Sequence, residues 1–150
     1  MPAASEARAL VAAARFAALA TLDRETGGPF ASLVAVAEDG GRPLLVLSGL
    51  AEHTKNLRVR PEASLLITGE AATSSMDRAR VTLGGRVRWL AGAEATAATA
   101  RFLAVNPEAK AWASLPGFQP CLLEVTSVRF VGGFARAAGI TAADYFAAAS

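Results

Sequence analysis

The chain has 150 residues, the size of one domain with one substantial core. With 53% hydrophobic and 19% charged residues, it is expected to fold and not to remain disordered. The formal net charge is +2, and the densest basic group, Lys55, Arg58 and Arg60, is too small for a nucleic-acid surface.

The single cysteine, Cys121, excludes an internal disulfide and fits a reducing compartment. It lies in the apolar stretch Pro120–Val125, where a small buried thiol is the expected occupant. The first residues show no signal-peptide pattern, and no apolar run is long enough to span a membrane. A cytoplasmic protein without nucleic-acid or membrane partners is the resulting expectation.

In chain order, Ser5 to about Ala18 is predicted as a helix capped by Ser5, with Leu10, Val11, Ala14 and Ala18 as its apolar stripe. Short strands follow. Ala18 to Asp23 leads through the turn-rich 24–29 segment into a strand from Phe30 to Ala37. Pro43 to Ser48 is almost wholly apolar, which predicts burial on both faces, and the spacing suits an antiparallel meander. Glu52 to Arg60 is a short predicted helix stopped by Pro61.

Ala63 to Thr68 is again strand-like, and Gly69 to Asp77 forms a polar loop. From Arg80 to Leu90, Val81, Leu83, Val87 and Trp89 alternate with polar residues, while Gly84-Gly85 signals a bulge or bend. Glu94 to Asn106 is a predicted helix, and 107–114 a further helical turn. Cys121 to Val125 and Val128 to Phe134 are expected as the last two strands. Thr141 is placed to cap a C-terminal helix, with Asp144 in the third position after it. About six strands with peripheral helices favour a small closed or nearly closed barrel, because closure removes exposed strand edges.

The chemistry concentrates in Leu47 to Leu57, between a buried strand and a short helix. Such a junction presents unpaired backbone N–H groups and the positive end of a helix dipole, both suited to an anion. Ser48 and Thr54 supply hydroxyls, and Lys55 and His53 supply positive charge. No P-loop is present. An ordinary helix cap and a solvated lysine form the competing reading of the same residues. With one histidine and one cysteine, no metal cluster is expected, and no acid, base or nucleophile stands out as catalytic.

The order of Pro29 to Ser32, Leu44 to Ser48, His53-Thr-Lys-Asn-Leu57, Pro61 and Ser64 to Ile67 resembles the pyridoxamine 5'-phosphate oxidase-like family. Val81 to Arg86 resembles the next strand of that pattern. Val131-Gly-Gly-Phe134-Ala-Arg136 is similar to the terminal strand of the branch associated with haem utilisation.

The resemblance implies a six-stranded antiparallel split β-barrel, mainly β with peripheral helices, binding flavin mononucleotide (FMN). It also implies a homodimer with flavin sites at the subunit interface and oxidoreductase chemistry carried by the flavin. Carried over by residue, Ser32, Ser48, His53, Thr54 and Lys55 would face the phosphate. Asn56 would touch the flavin or fix the turn, and Arg80 would make a polar contact to the flavin. Trp112, Phe118, Phe130 and Phe134 are candidates for a wall beside the ring or the dimer interface, with ordinary core packing as the alternative.

Two departures bear on the cofactor. The arginine-rich phosphate pattern of the vitamin B6 oxidase is replaced here by Ser32 and His53 to Lys55. The terminal strand has Val128-Arg129 where relatives often carry a histidine before the apolar pair, so a second haem-ligand histidine is absent. A haem-binding or haem-degrading protein and a non-catalytic flavin-binding module are the alternative functions.

Overall fold

The computed structural model describes residues 2–70, 75–133 and 136–149. Phe134, expected in the last strand and in the aromatic wall, lies outside the described residues, as do positions 71–74 of the predicted polar loop.

The first helix, α1, spans Ala3–Ala13, five residues short of the predicted end. Pro2 occupies its N-cap position, so Ser5 lies inside the helix and caps nothing. The helix stops because Phe16 is committed to strand β1 (Phe16–Leu22), which pairs along its whole length with β2 (Pro29–Ala35). The turn between them is built by Asp23. Its carboxylate accepts from the backbone N–H groups of Glu25 and Thr26 at 2.9 and 2.8 Å, and Gly27 takes the left-handed conformation at φ 75°.

Val36 then turns the chain into β3 (Ala37–Asp39), which pairs with β4 (Arg42–Ser48). The central residues of β4 are all buried, as its apolar composition predicts. Helix α2 (Glu52–Val59) follows, ending at Arg60 just before Pro61. Strands β5 (Glu62–Thr68), β6 (Arg80–Trp89), β7 (Phe118–Val131) and β8 (Ala137–Ile140) form consecutive antiparallel pairs. Helix α3 (Gly92–Val105) and a 3₁₀ segment (Pro107–Ala111) lie between β6 and β7. Helix α4 (Ala142–Ala147) is capped as expected, Thr141 Oγ1 accepting from Asp144 N–H at 3.1 Å.

The described residues thus give eight strands in one antiparallel sheet where six were expected. The order β2-β1-β5-β6-β7-β4-β3 is also not a simple meander, because β5 returns to β1 and β4 pairs with β7. Its two ends, β2 and β3, are consecutive in sequence. The sheet therefore curls back on itself through the single bent segment 29–39, which closes a split barrel.

The two final strands predicted at Cys121–Val125 and Val128–Phe134 are one 14-residue strand, β7. Thr126 and Ser127 look like a break, but they sit opposite Gly84-Gly85. The register shifts there, Gly84 facing Ser127 and Gly85 facing Val125, so Thr126 is the extra residue of a bulge. A Cβ on Gly85 would lie 1.9 Å from the Glu124 carbonyl oxygen, so only glycine permits this approach.

One core cluster fills the barrel, with Leu19, Leu45, Leu65, Leu83, Leu123 and Phe130 among its members. A second, smaller one packs α3 and the 3₁₀ segment against the outer side of β4 and β7, around Leu44, Phe102 and Leu122. Tyr145 anchors the C-terminal helix: its hydroxyl donates to the Gly41 carbonyl, and Arg8 caps the helix by donating to the Ala148 carbonyl at 2.8 Å.

Candidate functional site

The barrel splits between β2 and β4. In the sheet β2 pairs only with β1, whereas β4 pairs with β3 and β7, so the two strands approach without sharing a ladder. A cleft of about 270 Å³ opens there. Leu33, Val34, Val46 and Leu47 give it apolar sides. Trp112 and Phe118 add an aromatic wall, their ring centroids 5.3 Å apart. Ser48, Ala51 and His53 supply its polar groups at the entrance to α2, Ser48 lying directly opposite Phe118 in the β4–β7 ladder. The cleft is an apolar slot with a few polar groups, the common design of a small-molecule site.

Beside the lining residue His53, Ser32 Oγ lies 3.0 Å from its Nδ1. Partial burial lowers the pKa of His53 from its ordinary 6.5, which keeps the imidazole neutral at physiological pH. The expected positive charge of His53 is therefore missing in the free protein. Ser48 Oγ accepts from Leu50 N–H at 3.2 Å and remains half-buried on the cleft wall.

The start of α2 is unusually bare. Its N-cap residue is Ala51, which has no side-chain oxygen, so no side chain caps the first amides. Thr54, in the first turn, is fully buried, and its hydroxyl has no hydrogen-bond partner among the described residues. A buried hydroxyl without a partner is costly, and ordinary core positions avoid it. Glu52 would oppose an anion here, but Arg24 holds its carboxylate at 2.8 Å and Lys55 lies 4.0 Å away. The hydrogen bond from Arg24 and its charge lower the Glu52 pKa. Lys55 is partly exposed beside that carboxylate, on the solvent side of the turn.

Asn56 stands two residues beyond Thr54 on the helix and is buried for a different purpose. Its Nδ2 donates to Thr21 Oγ1 at 3.2 Å, and its Oδ1 accepts from Arg24 N–H at 3.1 Å. Both bonds tie α2 to the β1–β2 turn, the turn-fixing role that was one of its two expected roles. Arg80 does not line the cleft. Its strand is three places from β2 in the sheet, and its guanidinium donates to the carbonyls of Met76 and Arg78 at 3.0 and 3.2 Å.

The structure therefore brings Ser48 and His53 together on the cleft, with Ser32 bonded to His53 and Thr54 in the same helical turn. Of the aromatic candidates, Trp112 and Phe118 wall the cleft, while Phe130 is buried in the barrel core. Burial pushes the Cys121 thiol up to about 12, so it is unreactive. Sequence reasoning missed Arg24 and the four apolar walls. Arg24 acts through Glu52, 28 residues away, and aliphatic walls look like any other strand residues.

A family model described as "CREG, beta-barrel" matches residues 1–147, nearly the whole chain. The chain belongs to the CREG β-barrel family. It is also similar to the "Non-canonical heme oxygenase HOZ, chloroplastic" of Arabidopsis thaliana, at 37% identity over 114 residues. That match covers 74% of the chain but only 34% of the plant protein.

Among solved structures, a haem-binding protein from Mycobacterium smegmatis superposes with a TM-score of 0.93 at 39% identity. It covers 99% of this chain, which spans 61% of its length. A Clostridium acetobutylicum protein of the pyridoxinephosphate oxidase family shares the fold alone, with a TM-score of 0.71 at 12% identity over 95% of this chain and 96% of that one. The split-barrel fold expected from the resemblance is thereby shown, in a chain whose family is the CREG β-barrel. Among the described residues, no helix is long and apolar enough to cross a membrane.

Proposed function

We propose that the cleft between β2 and β4 binds FMN, and that the protein is a cytoplasmic flavin-dependent oxidoreductase of the split-barrel type. The observation that carries this reading is the unpartnered, fully buried hydroxyl of Thr54 in the uncapped first turn of α2. Backbone amides and a hydroxyl without partners are what a phosphate group satisfies. The residues present fit the cofactor: His53 and Ser48 on the cleft suit the phosphate at the α2 entrance, with Thr54 buried in the same turn, and the apolar slot walled by Trp112 and Phe118 suits a flat ring. When bound, the flavin would supply the electron transfer, while this chain binds and orients it.

The cleft is small and open for such a ligand, which favours a site completed by a second copy. A surface beside it is suited to that role. Ala18 pairs with Leu33 on one side and Leu66 on the other, and Phe16 lies two residues along the same face. Leu33 and Phe16 are 74% and 65% exposed. Contiguous exposed apolar side chains on a sheet face mark an association surface. Because Leu33 also lines the cleft, dimerisation through this face would cover the cleft mouth.

Haem is the second reading, favoured by the names of the plant and mycobacterial relatives and by a neutral imidazole on the cleft wall. The visible spectrum of the purified protein, titrated separately with FMN and haemin, decides between them. A saturable, perturbed flavin spectrum is expected. Failure to bind FMN together with a tight haem spectrum would replace the first reading with the second.

A further inference from the structure

The pair formed by Ser32 and His53 determines which nitrogen of the imidazole the cleft is offered. His53 is the only histidine of the chain, and it lines the cleft while Nδ1 is engaged 3.0 Å from Ser32 Oγ. Nε2 has no hydrogen-bond partner among the described residues and is the nitrogen left for a ligand. Two arrangements satisfy the distance. Either the serine donates to Nδ1 and the proton of the ring sits on Nε2, or Nδ1–H donates to the serine and Nε2 carries a lone pair. The first presents a hydrogen-bond donor to the cleft, and the second presents a metal ligand.

Ser32 has no other side-chain hydrogen bond among the described residues. If it accepted from Nδ1–H, its own hydroxyl proton would have no protein partner. If it donates to Nδ1, the unpartnered donor is Nε2–H instead, carried by His53, which lines the cleft where a ligand or water completes it, whereas Ser32 is not among the lining residues. Resting on the phosphate reading for its ligand, we propose that Ser32 is a positioning residue: its hydroxyl donates to His53 Nδ1 and fixes the Nε2–H tautomer, which offers a phosphate oxygen a donor and withholds a lone pair from iron. Specificity for a phosphorylated flavin over an iron porphyrin would then depend on a strand serine that need not touch the ligand.

Because the chain has one histidine, nitrogen-15 resonances of the imidazole report the tautomer in the ligand-free protein without overlap. The expected pattern is protonated Nε2 and unprotonated Nδ1. Ser32→Ala should give a mixture of tautomers and weaken FMN about tenfold, the size of one hydrogen bond to a charged group. Riboflavin affinity should stay unchanged, and Ser32→Thr should restore the wild-type pattern. A protonated Nδ1 in the wild type, or an Ala variant with an unchanged tautomer and unchanged FMN affinity, would overturn the proposal. The two ideas fail separately. FMN binding with a protonated Nδ1 removes the tautomer assignment alone, whereas a serine-dependent Nε2–H tautomer in a protein that ignores FMN removes the cofactor alone.

Discussion

The two turns of α2 treat their buried polar side chains in opposite ways. In the second turn, Asn56 is 1% exposed and bonds through both ends of its amide to Thr21 and Arg24. In the first, Thr54 is 0% exposed and its hydroxyl bonds to nothing described. Both are short polar residues on one eight-residue helix, so composition does not distinguish them. Their partners do. Asn56 is complete within the chain and is therefore structural. Thr54 is incomplete within the chain, at a helix entrance that no side chain caps, and in the proposed function a ligand completes it.

The largest expected effect tests the structural half of this contrast. Asn56→Ala leaves the Arg24 backbone N–H and the Thr21 hydroxyl without a partner and should cost about 2–3 kcal/mol. Urea unfolding would measure it, and a loss under about 0.5 kcal/mol would contradict the assignment. Thr54→Val tests the other half, since it keeps the shape and removes the unpaired hydroxyl. Stability should hold or rise by up to about 1 kcal/mol, while FMN affinity, followed by flavin fluorescence, should fall about tenfold. Loss of stability without loss of affinity would reverse the roles of the two residues.

His53 gives a smaller, pH-dependent effect. Its folded pKa lies below the ordinary 6.5, so the unfolded chain takes up a proton first as the pH falls. The stabilisation is complete above pH 6.5 and is lost as the pH falls through the lowered folded value. His53→Gln should flatten that part of the acid limb when unfolding midpoints at about pH 7 and about pH 5 are compared. The smallest effect belongs to Lys55→Ala. This exposed side chain near Glu52 should contribute under about 1 kcal/mol to stability, and its share in ligand affinity should shrink with added salt.

Much of the fold was legible because its signals are local. The alternation from Val81 to Trp89, the wholly apolar 43–48 run, the helix ended by Pro61 and the Thr141 cap each depend on neighbours in sequence. The errors arose where distant pairing overrode local pattern. Phe16 left the predicted helix because β2 pairs with it, and Thr126-Ser127 continued a strand because two glycines face them. At the site, the anion-suited entrance to α2 was visible in Ser48 to Lys55. That Asn56 is tied to a turn 32–35 residues away, that Ser32 meets His53, and that Arg80 lies three strands off are products of the sheet order. No spacing rule along the chain encodes them.

The central claim is that the first turn of α2 is kept incomplete for a phosphate. The most direct measurement compares dissociation constants of FMN and riboflavin for the wild-type protein at one ionic strength. The phosphate should strengthen binding at least about a hundredfold, as two charge-assisted hydrogen bonds would. Equal affinities for the two flavins would contradict it.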